Sequence, residues 1–177
     1  MVYRMRIFAC GRCRYAGTEN AIAAASIVHV YPNRSIAERT WPISTDYPHS
    51  RERAELASLV SALIYALERM AGLQPGIRAD VRIYSDSNFV GDCMNRFDQL
   101  RNQYAATEEL GQRVCEALVN ELISLDNRIR AAASLRFVRV PVGGNSPAER
   151  FCHEFLDGGG QHVIASQVYE PQWRLEN

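Results

Sequence analysis

Four side chains in this sequence carry groups that bind metal ions or take part in acid–base chemistry, and each lies in or beside a predicted element. Two are carboxylates: Glu55 opens an apolar helical run, and Asp86 ends a predicted strand. The others are the thiol of Cys10, after the first strand, and the imidazole of His153, in the last helix. Carboxylate oxygens suit magnesium, whereas a thiolate and an imidazole suit zinc. The residue types therefore allow either metal.

The elements that would position these side chains are predicted by hydrophobic periodicity and turn residues. Strands are expected at 3–9, 21–31, 35–43, 79–85 and 135–140. One helix is expected between Ser50 as N-cap and Gly72 as C-terminal stop, and others near 88–97, 107–125 and 147–156. The first three strands have short connections, which predict an antiparallel meander. The fourth is reached through a helix, which predicts a parallel crossover.

The overall composition is that of one globular domain. The chain has 177 residues, of which 47% are hydrophobic and 23% are charged. Its apolar runs fall short of the ~20 residues that a membrane helix needs, so no membrane contact is expected. Charged and apolar residues are interleaved over 1–6, which is not the pattern of a secretory signal peptide. The expected location is therefore intracellular, either cytoplasmic or nuclear.

Charge and cysteine usage restrict the possible partners. The formal net charge is +0, so a nucleic acid would have to be held by a local patch rather than by overall attraction. All 20 basic residues are arginine and the chain is lysine-free. Arginine contacts phosphate in a bidentate fashion that lysine cannot match. The five cysteines are an odd number, which indicates free thiols in a reducing compartment.

Three segments have the order and spacing of a known family. Residues 7–11 (Ile-Phe-Ala-Cys-Gly) match a strand that normally ends in Asp-Gly, and residues 53–56 (Arg-Ala-Glu-Leu) match a helix signature. Residues 85–90 (Ser-Asp-Ser-Asn-Phe-Val) match an Asp-Ser-x-Tyr-Val segment, and 138–147 form a weaker match that leads into the last helix. Together these segments resemble a type 1 ribonuclease H. The resemblance covers about residues 3–157 and implies a domain at 1–157, with a Gly-rich joint and C-terminal tail at 158–177.

The resemblance implies an α/β fold, with a five-stranded mixed sheet flanked by helices and strands 4 and 5 parallel to strand 1. It also implies that Cys10, Glu55, Asp86 and His153 meet at the carboxyl edge of the sheet. The family places four carboxylates around two magnesium ions there, to activate water and stabilise the leaving oxygen. Cys10 and His153 replace two of them, and Gly143 takes the place of a mobile histidine. We therefore expect the nuclease activity to be lost and no cofactor to be needed.

A binding role toward nucleic acid is the function that we expect to remain. Arg12, Arg14, Arg51 and Ser87 surround the expected cleft and are the predicted contacts to RNA, DNA or an RNA–DNA hybrid. Residues 49–52 (His-Ser-Arg-Glu) replace the amides with which the family contacts the RNA 2′-hydroxyl. The family's selectivity for hybrids is therefore not implied for this chain.

Two other functions stay open on the sequence. One is an active magnesium-dependent ribonuclease that uses Glu55, Asp86 and a relocated carboxylate, either Glu154 or Glu19. The other is a protein-interaction scaffold, in which helix 107–125 or the tail around Trp173 contacts a protein partner.

Zinc is the alternative metal. Cys10 and His153, together with Asp86 and Glu55, would form a softer ligand set than magnesium requires. Residues 10–13 also form a C-x-x-C sequence, and Cys152 is expected close to it. If the chain binds a metal through these groups, the ligand chemistry predicts zinc.

Overall fold

The computed structural model describes residues 1–90, 110–141 and 147–158, with side chains from 112 onward in the second range. The strands are β1 (Val2–Arg14), β2 (Ile22–Val30), β3 (Ile36–Pro42), β4 (Arg78–Ser85) and β5 (Ser134–Arg139). The helices are α1 (Arg51–Ala71), α2 (Leu110–Ala132) and α3 (Pro147–Asp157), and residues 88–90 are also helical. No helix within the described ranges is both long enough and apolar enough to cross a membrane.

The five strands form one mixed sheet in the order β3-β2-β1-β4-β5. β1 and β2 are antiparallel, as are β2 and β3, whereas β4 runs parallel to β1 and β5 runs parallel to β4. This topology confirms the sequence prediction. Because β1 and β4 are parallel neighbours, the residues at their carboxyl ends share one edge of the sheet.

Helices cover both faces of the sheet, because the side chains of each strand alternate between the two faces. On one face, Met5, Ile7 and Ala9 of β1 are buried in a core that also contains residues of α1 and α2. On the other face, Cys10 of β1 is buried with Cys152 and other apolar side chains of α3. The central strand therefore contacts helices on both sides, and α3 is the helix that covers the face of Cys10.

α1 begins and ends where its capping residues predict. Ser50 is the N-cap, and its hydroxyl accepts a hydrogen bond from the backbone N–H of Arg53 at 3.1 Å. Gly72 is the C-cap, and the N–H of the next residue, Leu73, donates to the carbonyl of Met70 at 3.1 Å. An N-cap side chain of this kind typically contributes about 1 kcal/mol to helix stability.

β1 runs to Arg14, so the prediction that it ends at residue 9 was wrong. Residues 10–14 contain glycine and two arginines and resemble a loop in composition, but they stay paired with the largely buried strand β2. Residues three apart on a strand point to opposite faces. Accordingly, Cys10 lies among residues of the α3 face, and Cys13 packs on the face of Ala54 in α1. The C-x-x-C sequence therefore cannot present both thiols to one metal ion.

α2 extends to Ala132, so the prediction that it ends near Leu125 was also wrong. Asp126 does not start a turn there, because its carboxylate accepts a hydrogen bond from Arg130 Nε at 2.8 Å within the same helix. Ile129 is buried and continues the apolar face. Of the helix expected near 88–97, residues 88–90 are helical and the rest lies outside the described residues.

A buried histidine lies on β2 beneath α1. His29 is 1% exposed, and its Nδ1 lies 3.1 Å from the hydroxyl of Tyr65 in α1. Within the described part of the chain, its Nε2 has no hydrogen-bond partner. Burial, followed by the positive charge of Arg69, lowers the pKa of His29 to about 4 from 6.5. The imidazole is therefore neutral in the folded protein at neutral pH.

This histidine predicts an acid-labile stability. Below pH 6.5 the unfolded chain binds a proton at His29 that the folded chain does not bind until about pH 4, so stability must fall across that window. We expect a loss of up to about 3 kcal/mol from this residue. Urea unfolding at several pH values should show a smaller loss in His29→Gln. An equal loss in both proteins would show that other groups are responsible.

Candidate functional site

The carboxyl ends of β1 and β4 meet the first turn of α1 at a close backbone contact. A Cβ atom built on Gly11 would lie 2.1 Å from the carbonyl carbon and oxygen of Ala54 and 2.4 Å from the backbone nitrogen of Glu55. No side chain fits in that space. Gly11 thus permits α1 to begin directly against β1, and this contact brings Glu55 to the sheet edge.

Glu55 is joined to the end of β4 by a hydrogen bond. Its Oε2 accepts from the hydroxyl of Ser87 at 2.6 Å, and its Oε1 accepts from Arg51 Nε at the same distance. Glu55 is 4% exposed and Ser87 is 1% exposed. The Ser87 hydroxyl in turn accepts from the N–H of Phe89 at 3.2 Å, which fixes its orientation at the start of the helical turn. The carboxylate of Glu55 is therefore held by partners from two elements.

Arg12 lies between the other carboxylates of the site. Its Nη2 donates to Asp86 Oδ2 and, at 2.8 Å, to Glu149 Oε1. Its Nη1 donates to Asp86 Oδ1 at 3.4 Å and to the carbonyl of Gly11 at 3.2 Å. Only 15% of the Arg12 side chain and 3% of the Asp86 side chain are exposed. Burial alone would lower the pKa of Arg12, but its hydrogen bonds to Asp86 and Glu149 raise it above the usual value.

The thiol of Cys10 faces another thiol. Its partner is Cys152 of α3, whose Sγ lies 3.4 Å from the carbonyl oxygen of Ala24. The hydrogen bond with Cys152, followed by burial, raises the pKa of Cys10 well above its usual range. Cys10 is therefore a protonated, buried thiol in the absence of metal, and it is not an effective nucleophile.

His153 points away from Cys10. Its side chain is 47% exposed, and its Nε2 lies 3.8 Å from Glu149 Oε1, one turn earlier in α3. On this helix it is Cys152 that lies against Cys10, because successive side chains of a helix diverge. The four residues predicted to meet, Cys10, Glu55, Asp86 and His153, are thus at one edge of the sheet. Four other side chains lie among them: Ser87, Arg12, Glu149 and Cys152.

The fold implies two magnesium ions at this edge, and the side chains present do not fit them. Magnesium requires near-octahedral oxygen ligands. Here Asp86 and Glu149 are already bound to a single guanidinium, and Cys10 offers a protonated thiol. Among the residues that the structure describes, no three Cys, His, Asp or Glu side chains are grouped so that they could hold a metal ion. The expected zinc set of Cys10 and His153 does not converge either.

The predicted phosphate contacts differ in how firmly they are held. Arg12 is bound to two carboxylates, and Ser87 is buried against Glu55. Arg51 is 60% exposed in its ion pair with Glu55, and Arg14 is 34% exposed in its ion pair with Asp157. Arg14 and Arg51 are therefore the two of the four residues whose side chains are most open to a ligand, although the partner of Arg51, Glu55, is nearly buried.

Glu149 is the site residue that the sequence reasoning missed. Glu154, proposed instead as a relocated carboxylate, lies 3.7 Å from Arg150 and is 58% exposed. Glu19, the other proposal, lies in the exposed turn between β1 and β2. A signal for Glu149 was present, since residues four apart share a helix face and Glu149 precedes His153 by four. The predictions for Gly143 and Trp173 fall outside the described residues.

Comparison with known proteins identifies the fold. No protein-family model matches the chain, and no curated protein matches its sequence. LC11-RNase H1, solved in complex with an RNA/DNA hybrid, has a TM-score of 0.58 at 17% identity, over 88% of this chain and 98% of that chain. A foamy viral protease-reverse transcriptase, also solved with an RNA/DNA hybrid, has a TM-score of 0.61 at 15% identity, over 92% of this chain and 20% of that chain. The PFV RNase H domain in solution has a TM-score of 0.51 at 15% identity, over 87% and 94% of the two chains.

The chain therefore has a ribonuclease H-like fold, as the sequence resemblance implied. At these identities the likeness concerns the fold. Activity and ligands have to be argued from the side chains at the sheet edge.

The close contact at Gly11 gives a test of how the site is positioned. We expect Gly11→Ala to destabilise the protein by about 3 kcal/mol or more, because its Cβ would overlap the backbone of Ala54. Gly72→Ala is the matched control. Its Cβ would lie 3.7 Å from the carbonyl oxygen of Arg69, and we expect a change within about 0.5 kcal/mol. Urea unfolding measures both, and equal stability of the two variants would contradict the contact.

Proposed function

We propose that this ribonuclease H-like domain binds nucleic acid at the edge formed by β1, β4, α1 and α3, and that it does not hydrolyse phosphodiester bonds by a two-metal mechanism. The observation that supports this most strongly is that Asp86 and Glu55, the two carboxylates that match the family's motif, are each paired with an arginine. The carboxylates that would hold metal ions in a nuclease are thus paired with cations of the chain itself.

Loss of hydrolysis follows from the ligands that are missing. A two-metal reaction needs enough carboxylates to fix both ions and to position the attacking water. Cys10 and His153 provide no carboxylate, and Glu149 is bound to Arg12. A surviving nuclease would have to break the pair between Arg12 and Asp86, which is almost fully buried. Breaking a buried pair typically costs about 3–5 kcal/mol.

Binding of the phosphate backbone is supported by the fold and by the exposed arginines at this edge. Two proteins with the same fold were solved in complex with RNA/DNA hybrids. The ion pair of Arg14 with Asp157 lies at the surface, where such a pair is worth only about 0–1 kcal/mol. The guanidinium of Arg51 is also exposed, although its partner Glu55 is nearly buried. A phosphate can therefore replace Asp157 as the partner of Arg14 at little cost. If a phosphate draws Arg51 away, Glu55 keeps its hydrogen bond from Ser87.

The protein-interaction scaffold has less support. Val114, Leu118 and Leu122, which form the apolar face of α2, are buried in the core with α1. They are not available to another protein.

Cleavage is the first test of this proposal. We expect the purified chain to leave an RNA–DNA hybrid intact in the presence of Mg²⁺ or Mn²⁺, because two fixed ions cannot be held. A labelled hybrid followed on a denaturing gel measures this. Cleavage that persists on repurification and disappears in Asp86→Asn would establish an active nuclease and overturn this half of the proposal.

Salt dependence is the second test. We expect binding of a hybrid or single strand to weaken as salt rises, and each of Arg14→Ala and Arg51→Ala to reduce the slope of log K against log salt by about 0.7–0.9. Arg4→Ala is the control, since Arg4 has a similarly exposed pair with Asp80 at the other end of β1. Fluorescence anisotropy measures the slopes. Equal effects of all three substitutions, or no binding, would reject the cleft as a nucleic-acid site.

A further inference from the structure

We propose that Arg12 is a built-in cation that takes the place of a divalent metal ion between Asp86 and Glu149, so that removing its charge converts this pair into a divalent-cation site. The inference deepens the proposed function and rests on its non-hydrolytic part. It assigns a role to Arg12 that is different from phosphate binding.

The first support is geometric. A single atom, Arg12 Nη2, donates to an oxygen of Asp86 and to an oxygen of Glu149. The two carboxylates therefore converge on one point in space, as they would around a metal ion. A third oxygen faces the same guanidinium, because the carbonyl of Gly11 accepts from Nη1 at 3.2 Å. Carboxylate and carbonyl oxygens are the ligands that hard divalent cations take.

The second support is electrostatic. Asp86 is 3% exposed and Glu149 is 16% exposed, so water compensates their charges poorly. Two carboxylates that converge in such a place repel each other unless a cation or a proton lies between them. Arg12 is suited to this position because a guanidinium does not lose its proton at physiological pH, and its two carboxylate partners raise its pKa further.

The third support is that Arg12 cannot easily move aside. Its backbone is paired with Ala24 inside the β1–β2 ladder, and both terminal nitrogens of its guanidinium donate hydrogen bonds to Asp86. Arg51 lacks these restraints, since it is 60% exposed and contacts one carboxylate oxygen of Glu55 through Nε. A metal ion in solution would have to displace Arg12 from both carboxylates before it could bind.

The experiment compares metal binding in the wild-type chain, Arg12→Ala and Arg12→Gln. Mn²⁺ is the probe, titrated by calorimetry and by thermal unfolding. We expect both variants to bind one Mn²⁺ at least about tenfold more tightly than the wild type, with a Tm that rises with Mn²⁺ concentration. In Arg12→Ala combined with Asp86→Asn, the gain should be lost, because one of the two carboxylates has become an amide.

Arg130→Ala is the matched control. Arg130 also pairs with a buried aspartate, Asp126, and also donates to a backbone carbonyl, that of Leu135. Its guanidinium contacts one carboxylate where Arg12 contacts two. We expect no gain in Mn²⁺ affinity when it is removed. A gain equal to that of Arg12→Ala would show that any uncovered aspartate binds the ion, and would overturn the inference.

The remaining outcomes are also decisive. If the folded Arg12 variants bind Mn²⁺ no better than the wild type, Arg12 does not occupy a cation position. If both variants are unfolded, circular dichroism should show that Mn²⁺ restores their structure, and failure to do so contradicts the inference. Wild-type binding of a hybrid with a normal salt slope would leave the proposed nucleic-acid role intact even then. Hybrid cleavage by the wild type would overturn the inference and the non-hydrolytic half of the proposed function.

Discussion

The interaction on which the site depends is the contact of one guanidinium with two converging carboxylates. Arg12 comes from the central strand β1, and Asp86 from the end of β4, the parallel strand beside it. Glu149 comes from α3, the helix that covers the Cys10 face of the sheet. The contact thus connects β1, β4 and α3 at one edge. Removing one partner of a buried ion pair typically costs about 3–5 kcal/mol, because the other charge is left buried and unpaired. The contact is therefore hard to disrupt by removing one partner, and it occupies the position where chemistry would take place.

Under the proposed function, the same edge keeps the architecture of the fold while its chemistry changes. Gly11 allows α1 to start against β1, and the hydrogen bond from Ser87 to Glu55 ties that helix to β4. Neither contact requires a metal ion. Carboxylates that surround metal ions in an active nuclease need cations for stability as well as for catalysis. In this chain the cations beside the carboxylates are arginine side chains. This explains how Glu55 and Asp86 can remain nearly buried beside a protonated Cys10.

The sequence predicted those parts of the structure that depend on local signals. Ser50 and Gly72 mark the two ends of α1, because capping preferences act within a few residues. Connection lengths predicted the antiparallel meander and the parallel β4, and the family resemblance implied the parallel β5. β1 was predicted too short because residues 10–14 are polar and contain a glycine, and only the partner strand reveals that they are paired. The pair of Arg12 with Glu149 joins residues 137 positions apart, so it could be found only once the topology had placed α3 over β1.

Anomalous diffraction from crystals of the wild-type chain soaked in Mn²⁺ tests the central claim most directly. The site is defined by a side-chain cation, so the map should show the Arg12 guanidinium between Asp86 and Glu149 and no anomalous peak at that position. A Mn²⁺ peak coordinated by Asp86, with Arg12 turned away, would contradict the account and would favour an active two-metal nuclease.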